Sequence, residues 1–385
     1  MQSPYFTEEH ELFRSAVREF FGQEVVPHLA EWEAKEQIPR EIWKKMGAVD
    51  YLGALYPESV GGTGVDFFYS AVFIEELGRL GNGGFAAAVS VHSYMALNHI
   101  ALAGSPFLQE KYLKPGLSGE KIGALAISEP NAGSDVQKIS AKAVSDGDFY
   151  VVNGSKVFIT NGYYADFITT AVKTVEGVSL FVIDGNAEGL NRAKLKKMGW
   201  YSSDTAELFF ENVKVPKENL IGEIGKGFYY IMESFALERL SAALMSVGAM
   251  DYILEITLKY MQERESFGKP ISRFQALRHR MADLFTEVEA CRQLVHYTCW
   301  LLNRKQTAIK ECSMSKLKAS ELQKKVADEC LQMFGGYGYM NEYPISAAYR
   351  DARAATIAGG TSEIMREIIA KITMDNVSYK SAYGK

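Results

Sequence analysis

Cysteine is scarce in this 385-residue chain and poorly placed for cross-linking. The four present, Cys291, Cys299, Cys312 and Cys330, fall in the last third, with no C-x-x-C pair and no histidine pair at ligand spacing nearby. A disulfide framework is excluded, zinc finds no ligand set, and reduced core thiols are expected. Basic charge is not in excess either: the net charge is −5, whereas a nucleic-acid partner requires a basic face to meet its phosphates. No uninterrupted apolar run approaches the roughly 18 residues of a spanning helix. The opening MQSPYFTEEHELF is acidic and polar, not basic and then apolar, so a cytoplasmic protein without a membrane span is expected. There is no internal repeat and no low-complexity linker. Neither G-x-G-x-x-G nor G-x-x-x-x-G-K-[ST] occurs, which removes the Rossmann and P-loop readings.

What is present has a clear order. Apolar residues recur at helical spacing through residues 6 to 37 (Phe13, Val17, Phe20, Phe21), from Phe67 to about Leu80, and from Ala86 to Ala103; YPESVGGTGVD at 56 to 66 breaks the pattern. Near Gly123 the texture changes. FYVVNGSKVFIT, FITTAV, VSLFVID and AELFFENVKV are short β-rich runs divided by Gly, Asn and Asp turns, as in a small β-sandwich or barrel. From Gly225 long helical patterns return, interrupted by SFGKP, FGGYGYMNEYP and IAGGTSE. The expected fold is therefore mainly α with an inserted β-domain: an N-terminal helical domain over 1–122, a middle β-domain over 123–224 and a C-terminal helical domain over 225–385.

One carboxylate breaks the pattern. In GFYYIMESFALERLSAALMS, residues 227 to 246, Ile231, Phe235, Ala242 and Met245 mark one helical face, and Glu238 falls on that stripe, three residues after Phe235 and four before Ala242. A buried carboxylate either finds a partner or has its pKa raised, and a raised pKa suits a general base. Arg239 is the neighbouring counter-charge, although adjacent helical positions point in different directions.

Three further stretches could carry chemistry. ALAISEPNAGSDV, residues 124 to 136, offers hydroxyls and turning backbone at Ser128, Asn131, Gly133, Ser134 and Asp135, a surface for a hydrogen-bonding ligand or a plain domain-crossing turn. In VFITNG, Phe158 and Thr160 share one side of a strand by the period of two, able to hold a planar ring or simply core plus cap. IAGGTSE places two glycines before Thr361 and Ser362 at a helix start, where backbone approaches closely and negative charge is favoured.

Together with KMGWYSSDT, NVKVPKENLIG, ERESFGKPI, the QMFGGYGY run and GGTSEIMRE, these stretches resemble the acyl-CoA dehydrogenase family over essentially the whole chain, with the texture of its long-chain and isovaleryl branches. The resemblance implies an N-terminal α-bundle, a middle β-domain and a C-terminal four-helix bundle, a homotetramer, noncovalent FAD, and α,β-dehydrogenation of an acyl-CoA thioester with electrons passing to an electron-transferring flavoprotein. It implies that Leu125, Ile127, Ser128, Gly133 and Ser134 follow the flavin, with Ser134 also towards the pantetheine arm. Phe158 stands where many relatives carry tryptophan, beside Ile159 and the flavin-bonding Thr160. Arg264, Ser266, Phe267, Gln275, Gln332, Gly335 and Gly336 would reach FAD bound mainly by a neighbouring subunit, and Thr361, Ser362 and Glu363 would meet its phosphates.

Many relatives place the catalytic glutamate immediately before G-T-S. Here one of the two glycines, Gly359, stands at the position assigned to it, and Glu238-Arg239-Leu240 instead matches the E-R-L context in which isovaleryl and long-chain relatives carry the base. The resemblance thus assigns proton abstraction to Glu238 and an enolate-stabilising N–H to Gly359, with Phe235, Arg239 and Gly360 around the substrate. Arg239 either holds the CoA part or pairs with an acid. A branched short-to-medium acyl group and a long straight chain both remain open, as do a same-fold flavin oxidase and a non-catalytic flavin-binding scaffold.

Overall fold

The computed structural model describes residues 3–378. The first region is helical: α1 (Glu8–Glu24), α2 (Leu29–Lys35), α3 (Arg40–Ala48), α4 (Phe67–Arg79), α5 (Gly83–Val91), α6 (Leu97–Ala103) and the short α7 (Pro106–Leu108) and α8 (Lys114–Leu117). Several of its helices start where a side chain satisfies a free N–H of the first turn. Thr7 accepts from His10 N while the His10 ring accepts from Thr7 N, closing a capping box on α1. Asp66 caps α4 and Asn82 caps α5. The helical pattern predicted over 86 to 103 is one rod, but a π-helical turn at His92–Ala96 joins α5 to α6.

The middle region is a sheet of β1 (Gly123–Ala126), β2 (Lys142–Asp146), β3 (Phe149–Thr160), β4 (Phe167–Thr174), β5 (Gly177–Asp184), β6 (Leu190–Lys194), β7 (Thr205–Pro216) and β8 (Leu220–Ile221). Its order is β6-β7-β3-β2-β4-β5-β8, and β1 joins β4 in parallel. Ala124, Val152, Ile168, Phe181, Leu208 and Phe210 form part of its core. The alternation expected of VFIT does not hold. An extra residue opens a bulge between Lys156 and Ile159, and Phe158 sits there with φ +63° and its ring 72% exposed.

Beyond the sheet come α9 (Gly227–Glu263), the two-stranded hairpin β9 (Glu265–Ser266) and β10 (Lys269–Pro270), α10 (Gln275–Asn303), α11 (Ile309–Phe334), α12 (Pro344–Ala355) and α13 (Ser362–Thr373). SFGKP is thus a tight hairpin, not a plain break, and Phe267 and Gly268 both take positive φ at its tip.

The single apolar stripe expected on α9 is also corrected. Ile231 is fully buried, but Phe235, Ala242 and Met245 are only half-buried, and the deepest positions include Leu240, Ala243, Leu244 and Val247. The helix is covered on several sides, by α4, α10 and α11. Two glycines let α4 come that close: a Cβ on Gly78 would stand 2.1 Å from Met245 O, and one on Gly248 would stand 1.9 Å from Glu75 O. Burying Leu240, Leu244 and Val247 contributes roughly 1.5–3 kcal/mol each. Among the described residues α9 alone is long and apolar enough to cross a membrane, yet it lies mostly inside the fold. All four cysteines are buried free thiols, as expected.

Candidate active site

Glu238 projects from the first half of α9 into the interior and is 4% exposed. Its Oε1 has no hydrogen-bond partner among the described residues. Burial pushes its pKa up to about 7, against the opposing pull of the Arg239 charge and the Ser234 hydroxyl. Ser234 is itself fixed from α6, accepting from Asn98 Nδ2 at 3.0 Å. Arg239 is buried too; its guanidinium lies 5.4 Å from the centre of the Phe235 ring, and its charge bears on Cys312 and Lys316 of α11.

Lys316 connects this part of α9 to the glycine turn. Its side chain is fully buried, and its ammonium donates to the carbonyl of Gly360. Gly359 and Gly360 have φ +64° and +95°, conformations costly for other residues, and a Cβ built on Gly359 meets nothing within 4 Å. The backbone N–H groups of Gly359, Gly360 and Thr361 make no hydrogen bond among the described residues. Thr361 caps α13 by accepting from Ile364 N, and Ser362 Oγ is buried without a partner. Glu363 is exposed, its carboxyl held below the ordinary value by its own N–H and by Thr361. Free donors at a helix start, with an orphaned hydroxyl, suit an anionic ligand.

The stretch running past Ser128 is held from behind. Lys156, fully buried on β3, donates to Ile127 O at 2.9 Å and to Glu129 Oε1 at 2.8 Å. The Glu129 carboxylate also accepts from Ser140 N and Oγ, both at 2.7 Å, and from Ala141 N at 3.0 Å. Burial pulls the Lys156 ammonium down to about 8; at Glu129 burial pushes the carboxyl up, but Lys156 and the Ser140 hydrogen bonds together keep it below the ordinary value. Val157 N donates to Ser128 O at 3.0 Å. These contacts brace Ile127 and Ser128 next to the bulged Phe158 and the half-buried Thr160, while Leu125 and Ile159 lie in the strands and Gly133 and Ser134 stand exposed. An exposed ring in left-handed backbone beside a braced polar loop fits a planar ligand such as a flavin.

A second group lies elsewhere. Arg264 ends α9 with its guanidinium 5.5 Å from the Tyr337 ring, which brings the β9–β10 hairpin beside the Gly335–Tyr339 turn. Ser266, Phe267, Gln275, Gln332, Gly335 and Gly336 are half-buried or exposed on these segments, Phe267 at 94%. Arg264 is about 39 Å along the helix from Glu238, at 1.5 Å per residue.

Sequence reasoning missed Lys316, Lys156, Glu129 and Asn98. The signal available for the two lysines was that of Glu238: a charge spaced among buried positions, Lys316 between Ser313 and Ser320 of α11.

Family comparisons match residues 7–120 to the acyl-CoA dehydrogenase N-terminal domain, 124–213 to its middle domain and 225–374 to its C-terminal domain. The chain is 41% identical over 374 residues to the long-chain specific acyl-CoA dehydrogenase of Mus musculus, covering 95% of this chain and 86% of that one. It is 37% identical to the isovaleryl-CoA dehydrogenase of Oryza sativa subsp. japonica (95% and 91% covered) and 37% identical to subunit CarC of the caffeyl-CoA reductase-Etf complex of Acetobacterium woodii (95% and 98%). The acyl-CoA dehydrogenase structure from Geobacillus kaustophilus superposes with a TM-score of 0.93 at 41% identity, covering 96% and 99% of the two chains.

Proposed function

The chain belongs to the acyl-CoA dehydrogenase family, and from that premise we propose that Glu238 is the base that removes the α-proton of an acyl-CoA thioester. The protein is an oxidoreductase acting on acyl-CoA, and the cofactor of its family is FAD. The observation that carries the assignment is the buried Glu238 carboxylate, whose Oε1 lacks a donor and whose pKa is raised to about 7. A base needs a free lone pair and a pKa near the working pH, and Glu238 has both. A carboxylate at an ordinary pKa would be too weak for this proton.

The remaining acidity must come from stabilising the enolate. The N–H of Gly359, without an acceptor among the described residues, would donate to the thioester oxygen; one such preorganised donor contributes on the order of 3 kcal/mol. FAD, when bound, would supply the acceptor for the hydride leaving the β-carbon, and the product would be the trans-2-enoyl thioester. Ile127 to Ser134, Phe158 and Thr160 would hold the ring system, and the Gly360–Ser362 backbone with Glu363 at its edge would meet its phosphates. Phe235 and Gly360 would border the acyl group. The space over Gly359 supports acyl groups with bulk near the thioester. Arg239 reads better as an electrostatic neighbour of Lys316 and Glu238 than as a ligand of CoA, because it is buried against α11.

The exposed surface around Arg264 would close on FAD held mainly by another copy of the chain, in a homotetramer. About 39 Å of helix separates it from Glu238. Electrons would leave to an electron-transferring flavoprotein, the kind of partner named for the Acetobacterium woodii relative.

The test is anaerobic bleaching of the flavin by straight and branched acyl-CoAs in wild type and Glu238→Gln. Bleaching by one subset, abolished in the variant with FAD still bound, is expected. Equal bleaching in both proteins would remove Glu238 from the chemistry.

A further inference from the structure

We infer that Lys316 is a positioning residue, which holds the Gly360 carbonyl inward so that the neighbouring backbone N–H groups stay free for substrate and cofactor; this rests on the role proposed above for the glycine turn. Glycines at 359 and 360 leave the turn no side chain with which to anchor itself, and their positive φ values are accessible to few other residues. Left alone, such a segment samples many conformations, and a donor must be fixed in advance to stabilise a developing charge. The anchor comes from outside: Lys316, fully buried on α11, donates to Gly360 O.

The consequence follows from peptide planarity. In a trans peptide the C=O and the following N–H point in opposite directions, so a Gly360 carbonyl drawn towards Lys316 turns the Thr361 N–H away from it. Gly359, Gly360 and Thr361 accordingly have free N–H groups among the described residues. Arg239 of α9 lies close enough for its like charge to disfavour the Lys316 ammonium, and the hold of Lys316 is on the glycine turn, through Gly360 O.

Lys316→Met, which keeps the length and removes the charge, and Lys316→Arg, which keeps the charge and donors, test this. We expect Lys316→Met to raise the FAD dissociation constant about tenfold, measured from flavin released on dilution. At saturating FAD it should slow bleaching by acyl-CoA about tenfold while leaving the acyl-CoA KM within threefold. Lys316→Arg should recover most of both. An unchanged dissociation constant in Lys316→Met would overturn the inference, as would a Lys316→Arg protein that loses as much as Lys316→Met, since packing and not the donated hydrogen bond would then matter. Should Lys316→Met lose its cooperative melt, the comparison of Lys316→Arg with wild type decides alone. If no acyl-CoA bleaches the wild-type flavin, the functional reading fails, and the dissociation constants still decide the role of Lys316.

Discussion

Two glutamates in the helical part of the molecule are equally hidden and oppositely tuned. Glu75 on α4 is 5% exposed and Glu238 on α9 is 4% exposed. Burial alone would raise both. At Glu75, His296 Nε2 at 2.6 Å and Arg14 at 3.0 Å overcome burial and hold the carboxyl down at about 2. At Glu238 no such bond exists for Oε1, Arg239 and Ser234 only partly offset burial, and the carboxyl stays near 7. Depth alone therefore does not raise a carboxyl's pKa; depth without a bonded cation does. The first arrangement stabilises the fold, and the second costs stability, as the base proposed above would require.

Exchanging the two residues' chemistry tests that contrast most severely. Glu238→Gln should lower the flavin-bleaching rate about 10³-fold with FAD retained, whereas Glu75→Gln should leave the rate within threefold and cost about 3 kcal/mol in urea unfolding. The stability of the apo-protein separates them further. The Glu238 pKa is higher in the folded than in the unfolded chain, so the folded state binds more protons between about pH 4.5 and 7 and stability from this group falls as pH rises through that window. Above pH 7 Glu238→Gln should then be more stable than wild type by on the order of 3 kcal/mol. Glu75 has the opposite sign: its contribution is complete above about pH 4.5 and is lost as pH falls through about 2.

The pH profile of the reaction sharpens the same point. Bleaching should rise about tenfold per pH unit below pH 7 and level off above it, because the ionised fraction of Glu238 does so; stopped-flow rates across pH 5 to 9 would check it. The smallest effect belongs to the far end of α9. Arg264→Ala should raise the FAD dissociation constant about fivefold in equilibrium dialysis and leave bleaching at saturating FAD within twofold, if that residue meets the cofactor as proposed, away from the reacting carbons.

How far the sequence spoke depended on which force shaped each element. Periodicity revealed the helical, β and helical regions because each buries one side of its elements, and Glu238 stood out as a charge among buried positions. Periodicity failed where local geometry changed: the bulge at Phe158 adds a residue that a period of two cannot foresee, and the turn at Phe267–Gly268 makes a hairpin of a stretch that looked like a simple break. It failed on α9 as well, because the close approach permitted by Gly78 and Gly248 comes from a distant segment and covers the helix on another side. The spacing of Lys316 and Lys156 was easily passed over because a lysine is ordinarily solvated, and the main-chain acceptors Gly360 O and Ile127 O carry no sequence signal. The cofactor reading of Ser128, Thr160 and Thr361 came from resemblance, since hydroxyls beside turns are common in every fold.

The unbroken length of α9 has a mechanical meaning. Its 37 residues contain no proline, and the rod is clamped along its sides by neighbouring helices. It acts as a ruler about 55 Å long, so the spacing between the buried Glu238 and the exposed Arg264 end is set by residue count. A substitution that shortened or bent α9 would therefore change that spacing, while one confined to a loop would leave it intact.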